Sequence, residues 1–515
     1  MQRGARTAAK RTTTSLIVTV LAVAAIAAGG QAATPGTRSG GTLRIAYNLE
    51  GTATGGIHLD PTKAGAGGSE VGIELLLYDS LYRLLPSGKL VPSLASDAKV
   101  VDDHTIAVTI RRGVTFSEGT PFDANAVKAA LDRNLAATQS MAFARDFYRL
   151  TSVEVTGDHA LTLHFDDPVA GGWFHFLSGI ETLVPLVKSG TDLDTEPVGA
   201  GPYVLTKLDP TSEFVFEKNP KYWDRAHIKI GTIRYVNALS DPAVLNLLRG
   251  GQVDFAVLPI ASVPAVQHDP SLKLGSLSDS NQLVWIPVCK STAPLDNVRV
   301  RQGLSYAIDR KAISKAVFLG RAAPASGLWP DDNVYMPADL RGKYAYNPRK
   351  AKQLLRAAGF KQGLKLTLMP IDALSIPPVA EVIQQEWKAI GVDLTIVPSS
   401  NFVNDLYIEH RAAMGLVPVQ PVPKTRAYLP GNVGDLCTYH DPKIDAIQDR
   451  LLAAPEGSAD AIKAWSDLEH VVVNQALSIF VMFRPVTYAT TTNVKGLKLV
   501  PGLNPYPYLW DVSVR

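Results

Sequence analysis

The sequence predicts an α/β protein folded in several lobes, and three observations carry that reading. Short apolar runs of period two alternate with longer stretches whose apolar residues recur every three to four positions. Several of the longer stretches bring their own caps, such as Asp123, or Asn347 with Pro348 after it and Gly359 at the far end. The chain has 515 residues, 46% hydrophobic and 19% charged, which suffices for roughly three cores. It shows no short-period repeat and no low-complexity segment.

The first thirty residues stand apart. Arg3, Arg6, Lys10 and Arg11 precede the uncharged run SLIVTVLAVAAIAA (15–28), and small residues follow. This is the three-part pattern of an export signal. The run is short for a membrane span, so an anchor is the alternative. Cuts after Ala27 or Ala32 both suit. Residues 1–32 hold four basic and no acidic residues, so their removal turns the formal net charge from +3 into −1. The basic excess belongs to the signal and gives no support to nucleic-acid binding. Cys289 and Cys437 stand 148 positions apart. Export permits a disulfide, but the sequence leaves open whether the two meet. Neither follows the apolar run, so a lipid-bearing cysteine is not expected.

From Gly41 the elements follow in order. GTLRIAYN (41–48) alternates Leu43, Ile45 and Tyr47 with small or polar residues and reads as a strand. EVGIELLLYDSLYRL (70–84) reads as a helix, and HTIAVTIRRGV (104–114) as a strand ending in a basic turn. DANAVKAALDRNLAAT (123–138) is a helix capped by Asp123, with Ala126, Val127, Ala130, Leu131 and Leu135 as its stripe. HALTLHF (159–165) is a strand. In VGAGPYVL (198–205) two glycines flank Ala200 before a strand. The glycines allow backbone conformations closed to other residues, and Pro202 fixes the turn. An anion cradle is the alternative, but no helix or lysine follows at phosphate-loop spacing. Tyr203 and Trp223 are expected to pack in the core. The stretch 297–318 is one or two helices, 347–360 a helix and 364–370 a strand. In 377–398 a helix stops at Gly391 and a strand follows. Two more helices occupy 440–454 and 459–476.

The stretch 76–133 resembles the extracytoplasmic solute-binding proteins of family 5, the peptide-, dipeptide- and nickel-binding proteins of ABC importers. VGAGPYVL with KNPKYWD, APLDNVRVRQGLSYAIDR, YNPRKAKQLLRAAGF, IQQEWKAIGVDL and DPKIDAIQDRLL agree in the same order. The resemblance runs from about Gly41 onward. It implies a periplasmic-binding-protein-like fold of type II, cluster C: two lobes joined by hinge strands, plus an inserted subdomain. Lobe I would take 41–77, 197–293 and 485–515, the insert 78–196, and lobe II 294–484. The solute would be enclosed by hinge closure, and the importer's permease subunits would recognise the closed form. A monomer without cofactor is expected, exported to the periplasm, the cell surface or the medium.

Three departures bear on the solute. The family's ligand-reading segment often runs G-W-x-x-D, its tryptophan bordering the pocket and its aspartate pairing with a peptide α-ammonium. The matching stretch is GLVPVQPVP (415–423), with Leu416 at the tryptophan, Val419 at the aspartate and Val422 at the next acid. An ammonium buried without a counter-charge is costly, so much of the affinity for a free peptide N-terminus should be removed. A local slip of the alignment, or substitution by Asp405 or Glu409, is the alternative. Cys289 stands where the family often has asparagine, after a strand around Trp285 that borders the cleft in relatives. SIFVMFRP (478–485) carries Phe480, Met482 and Phe483 where relatives often have two prolines and tyrosines near the hinge, and most of these side chains are expected in the core. All three changes point to a less polar cleft suited to a small hydrophobic or aromatic solute. The ligand-binding residues expected are Tyr47, Trp285, Leu416, Val419, Gln420 and Phe483.

Catalytic and metal motifs are weak. Among ten histidines there is no H-E-x-x-H, and His58, His175 and His410 are scattered. GLSYA (303–307) lies inside a helical motif, and SDAK (96–99) lacks its companion motif. Glu118 and Asp123 fit a turn and a helix cap. WFHFL (173–177) reads as core, with ligand contact as the alternative, and no basic–aromatic interleaving suggests single-stranded nucleic acid. The reading is a solute-capturing subunit of an ABC importer and not an enzyme. The alternative is a repurposed fold, acting as an enzyme or non-transport carrier in an exported or specialised pathway. The altered reading segment and the missing lipid cysteine motivate it.

Overall fold

The computed structural model describes residues 40–47, 57–63, 68–137, 150–179, 182–238, 241–361, 363–372, 375–419, 436–437, 439–500 and 506–515. The expected signal, 1–32, lies outside them. Residues from Ser39 onward make one compact unit.

Strand β1 (Thr42–Tyr47) buries Leu43, Ile45 and Tyr47, as its alternation requires. Helix α1 (Gly68–Leu77) stops at Leu77 and does not run to Leu84 as expected. Asp79 takes a left-handed φ of 58°. Its carboxylate accepts from the hydroxyls of Ser93 at 2.8 Å and Tyr222 at 2.7 Å. That buried network outweighs the helical pattern, and the chain turns into β2 (Tyr82–Leu84), which pairs with β3 (Leu90–Pro92).

The stretch expected as the insert follows: β4 (Ala95–Asp102), β5 (Thr105–Ile110), α2 (Ala124–Ala137), β6 (Leu150–Gly157), β7 (Ala160–Phe165) and α3 (Trp173–Ser178). Its four strands order as β4-β5-β7-β6. Asp123 caps α2, accepting from Ala126 N–H at 2.9 Å. Ile106, Phe116, Val127, Leu131, Phe176 and Leu177 build a core of its own.

The chain returns through β8 (Tyr203–Asp209), β9 (Glu213–Lys218) and β10 (Thr232–Asn237). Gly199 and Gly201 precede β8, and neither takes a left-handed φ. The expected reason for these glycines is therefore corrected. A Cβ on Gly199 would lie 2.0 Å from the Leu77 carbonyl oxygen, and one on Gly201 2.5 Å from that of Leu76. They are glycines because the end of α1 presses on them. Tyr203 is buried and donates to the Ile230 carbonyl at 3.1 Å. The Arg111 guanidinium lies 3.9 Å from the Trp223 ring centroid.

Next come α4 (Asp241–Arg249), β11 (Phe255–Val257), α5 (Val263–Gln267) and the long β12 (Leu272–Pro287). The stretch expected to form the second lobe contains α6 (Val298–Tyr306), α7 (Arg310–Phe318), β13 (Ala323–Pro324), α8 (Pro348–Ala357), β14 (Leu364–Pro370), α9 (Ile376–Lys388), β15 (Val392–Ile396), β16 (Met414–Val419), α10 (Pro442–Ala453) and α11 (Ala459–Asn474). The long β17 (Ser478–Thr491) follows. The stretch 297–318 is two helices because each half has a cap. Asn297 accepts from Arg299 N–H at 2.9 Å and Asp309 from Ala312 N–H at 3.0 Å.

One eleven-stranded sheet runs β15-β14-β16-β12-β17-β11-β1-β10-β9-β8, with β13 beside β17. β12 and β17 sit at its centre and join its two halves. Arg310 explains one motif the sequence left unread. Its buried guanidinium donates to backbone carbonyls: Phe480 at 2.6 Å, Tyr344 at 2.8 Å and Ala325 at 3.1 Å. Burial pulls its pKa down to about 10. The arginine thereby ties β17 to the helices of the second lobe.

Candidate functional site

The site is built on β12 and β17. They pair antiparallel from Leu272 opposite Thr491 to Pro287 opposite Ser478. Within this pairing the register slips: β12 runs from Leu277 to Gln282 while β17 spans only Val486 to Arg484. This irregularity falls on the two strands expected to form the hinge. Of the two polar side chains at its far edge, Arg484 is half-buried and Gln282 fully so. Burial pulls the Arg484 pKa down to about 10.

Beyond the hinge, β16 pairs with β12 on the side away from β17. Two cross-strand rows result. Val419, Leu283 and Phe483 form one, and Val417, Trp285 and Phe480 the other. The Trp285 and Phe480 rings lie 6.4 Å apart at 30°. Trp285 is fully buried and Phe483 nearly so, while Val419 is half-buried at the end of its strand. The structure thus brings Trp285, Val419 and Phe483 onto one apolar face. Leu283 and Phe480 belong with them, and Leu283 was missed. Its place two residues before Trp285 on the same strand was the available signal.

The other candidates lie elsewhere. Leu416 points to the opposite face of β16, fully buried with Trp387, Ile383 and Leu368. Period-two alternation puts it there once Val417 and Val419 face the other way. Tyr47 belongs to the first lobe's core, its ring 5.6 Å from Phe214 and 6.1 Å from Tyr235, and burial raises its pKa. Gln420 and Val422 lie outside the described residues. Asp405 is engaged: it accepts from Arg411 at 2.5 Å and from Ser399 at 2.6 Å. Glu409 is exposed and accepts from Asn404.

Cys289 and Cys437 are bonded, with Cα atoms 5.1 Å apart. The Ser291 hydroxyl donates to the Cys437 carbonyl at 2.6 Å. The bridge fastens residues just past β12 to the chain that precedes α10, beside Met369, Phe402 and Leu436. Among the described residues, no group of three His, Cys, Asp or Glu side chains is placed to hold a metal ion. Nor is any described helix long and apolar enough to cross a membrane. Ser305 of GLSYA sits within α6 and donates to the Arg301 carbonyl. Glu118 pairs with Lys188 at 2.6 Å.

Comparison with known proteins agrees with this architecture. A model for bacterial extracellular solute-binding proteins, family 5, matches residues 89–418. The glutathione-binding protein GsiB of Salmonella choleraesuis is 30% identical over 326 residues, which span 62% of this chain and 63% of that protein. The structure of AgaA from A. tumefaciens, in complex with agropinic acid, superposes with a TM-score of 0.81 at 20% identity, covering 92% of this chain and 99% of that one. A dipeptide-binding protein from a Pseudoalteromonas species, in complex with Met-Leu, gives 0.78 at 19%, covering 92% and 100%. At such identities the two structures show the shared two-lobed, type II binding-protein fold.

Proposed function

The chain belongs to the bacterial extracellular solute-binding proteins of family 5, and from that premise we propose that it is the extracytoplasmic capture subunit of an ABC importer. It takes a peptide-like or small apolar solute between its lobes, closes by bending at β12 and β17, and presents the closed form to the permease subunits. It acts as an exported monomer without cofactor, and residues 1–32 are its signal. The observation that carries this reading is the hinge pair β12 and β17, running through both halves of one sheet under the apolar rows of Trp285 and Val419. A closing cleft needs a flexible joint and an apolar wall beside it. Similarity to a glutathione-binding and a dipeptide-binding protein supports the peptide-like half of that reading.

Native mass spectrometry of protein purified from its own host tests the reading, together with small-angle scattering before and after the solute is stripped. A bound small molecule, and expansion on stripping, are expected. Protein that carries no solute and keeps one shape throughout would sink the proposal. Trp285→Ala should weaken retention of that solute about tenfold or more.

A further inference from the structure

Helix α10 carries one polar residue inside its buried stripe. At roughly 100° per residue, Ile447, Leu451, Ile444, Gln448 and Leu452 follow one another around the helix. Ile444, Ile447 and Leu451 pack with Leu283, Trp285, Phe480 and Phe483. Leu452 packs instead into the core of the insert, with Phe176 and Leu177. Gln448 stands between the two groups, where the binding wall of the second lobe meets the insert. It is 3% exposed. Neither its Oε1 nor its Nε2 has a hydrogen-bond partner.

A stripe this apolar gains nothing structural from such an amide. Leucine would fill the position without leaving a buried donor and a buried acceptor unsatisfied. A site that buries unpaired polar groups selects a solute able to pair with them and rejects one that cannot. The carboxamide offers an acceptor and a two-proton donor in one plane, and its complement is another amide. We propose that Gln448 is a specificity-determining residue that hydrogen-bonds an amide group of the captured solute. This rests on the solute-capture reading above and narrows it: a peptide-like compound satisfies Gln448, and an apolar compound without an amide leaves it unpaired.

The test uses the exported protein and its Gln448→Leu and Gln448→Met variants, with two probes titrated by calorimetry. N-acetyl-Met-Leu has amide groups and no ammonium; 4-phenylbutyrate has neither. Wild-type protein should bind the peptide at least about tenfold more tightly than phenylbutyrate. Both variants should lose at least about tenfold for the peptide while their unliganded melting temperatures hold or rise. Undiminished peptide affinity in the variants, or equal wild-type affinity for the two probes, overturns the inference. If neither probe binds, the solute carried from the host decides. An amide-bearing solute whose occupancy falls in both variants supports the inference. One retained equally by the variants, or one lacking an amide, overturns it and leaves the import reading standing. Absence of any solute removes both.

Discussion

The backbone N–H of Gly171, at the end of the insert's sheet region, donates to the carbonyl of Leu452 at 2.7 Å. Gly171 lies against the end of α10, and a Cβ there would sit 2.2 Å from the Leu451 oxygen and 2.8 Å from that of Leu452. In the proposed opening of the cleft, this contact between the expected insert and the expected second lobe is one that breaks. Gly171→Ala should therefore favour the open form. Loss of one backbone hydrogen bond, about 1 kcal/mol, predicts roughly fivefold weaker solute binding with little change in the unliganded melting temperature. Calorimetry with the native solute and scattering of the unliganded variant check it.

Glu469 is fully buried on α11 and accepts from Trp329 N–H at 3.0 Å, and burial raises its pKa from 4.5 to about 8. Because the folded pKa exceeds the unfolded one, the folded state holds the proton more tightly. That stabilisation is whole below about pH 4.5 and is lost as pH rises through about 8. Glu469→Gln should flatten this fall. Melting temperatures from pH 4.5 to 8.5 should converge at the acid end, with the variant ahead at the alkaline end.

Much of the fold was legible because its signals are local. Asp123, Asn297, Asp309 and Asn347 each cap a helix within three residues, and β1 alternates as its burial does. What was not legible depends on partners distant in sequence. The end of α1 is set by Ser93 and Tyr222 meeting Asp79. Arg310 is held by backbone carbonyls, which leave no mark on the sequence. At the site, Trp285, Val419 and Phe483 came from the family resemblance, and the pairing of β16, β12 and β17 sets them on one apolar face. Leu416 was grouped with Val419 because they match the tryptophan and aspartate of the family's reading segment, although an odd separation in a strand puts two residues on opposite faces. Gln448 gave one signal that went unread, a polar residue at an apolar position of a helical stripe.

Removing the disulfide should weaken the fold. Cys289 and Cys437 close a loop of 148 positions, and the double variant Cys289→Ser with Cys437→Ser should lose about 2–4 kcal/mol. Urea unfolding of that variant, and of wild type with and without dithiothreitol, measures it. Equal midpoints would contradict the prediction.

Val419→Asp should restore an anchor for a free amine. The variant should bind Met-Leu about tenfold more tightly than wild type does, a gain of ~1.4 kcal/mol. N-acetyl-Met-Leu should show no such gain, because it has no ammonium to pair with the new carboxylate.

Arg310→Met should leave the carbonyls of Phe480, Tyr344 and Ala325 without their donor. A loss of about 3 kcal/mol or more is expected, read as a lower urea midpoint.

β17 enters the large sheet after every other strand of that sheet in chain order, yet it lies between β12 and β11 at the centre. Until it arrives, the two halves of the sheet share no paired neighbour, and contacts this distant along a chain form slowly. A polypeptide emerging vectorially from a translocation pore would therefore complete its tertiary structure only once this fourteen-residue segment has come through. In an exported chain, placing the keystone so late would keep the threaded polypeptide pliable throughout its passage.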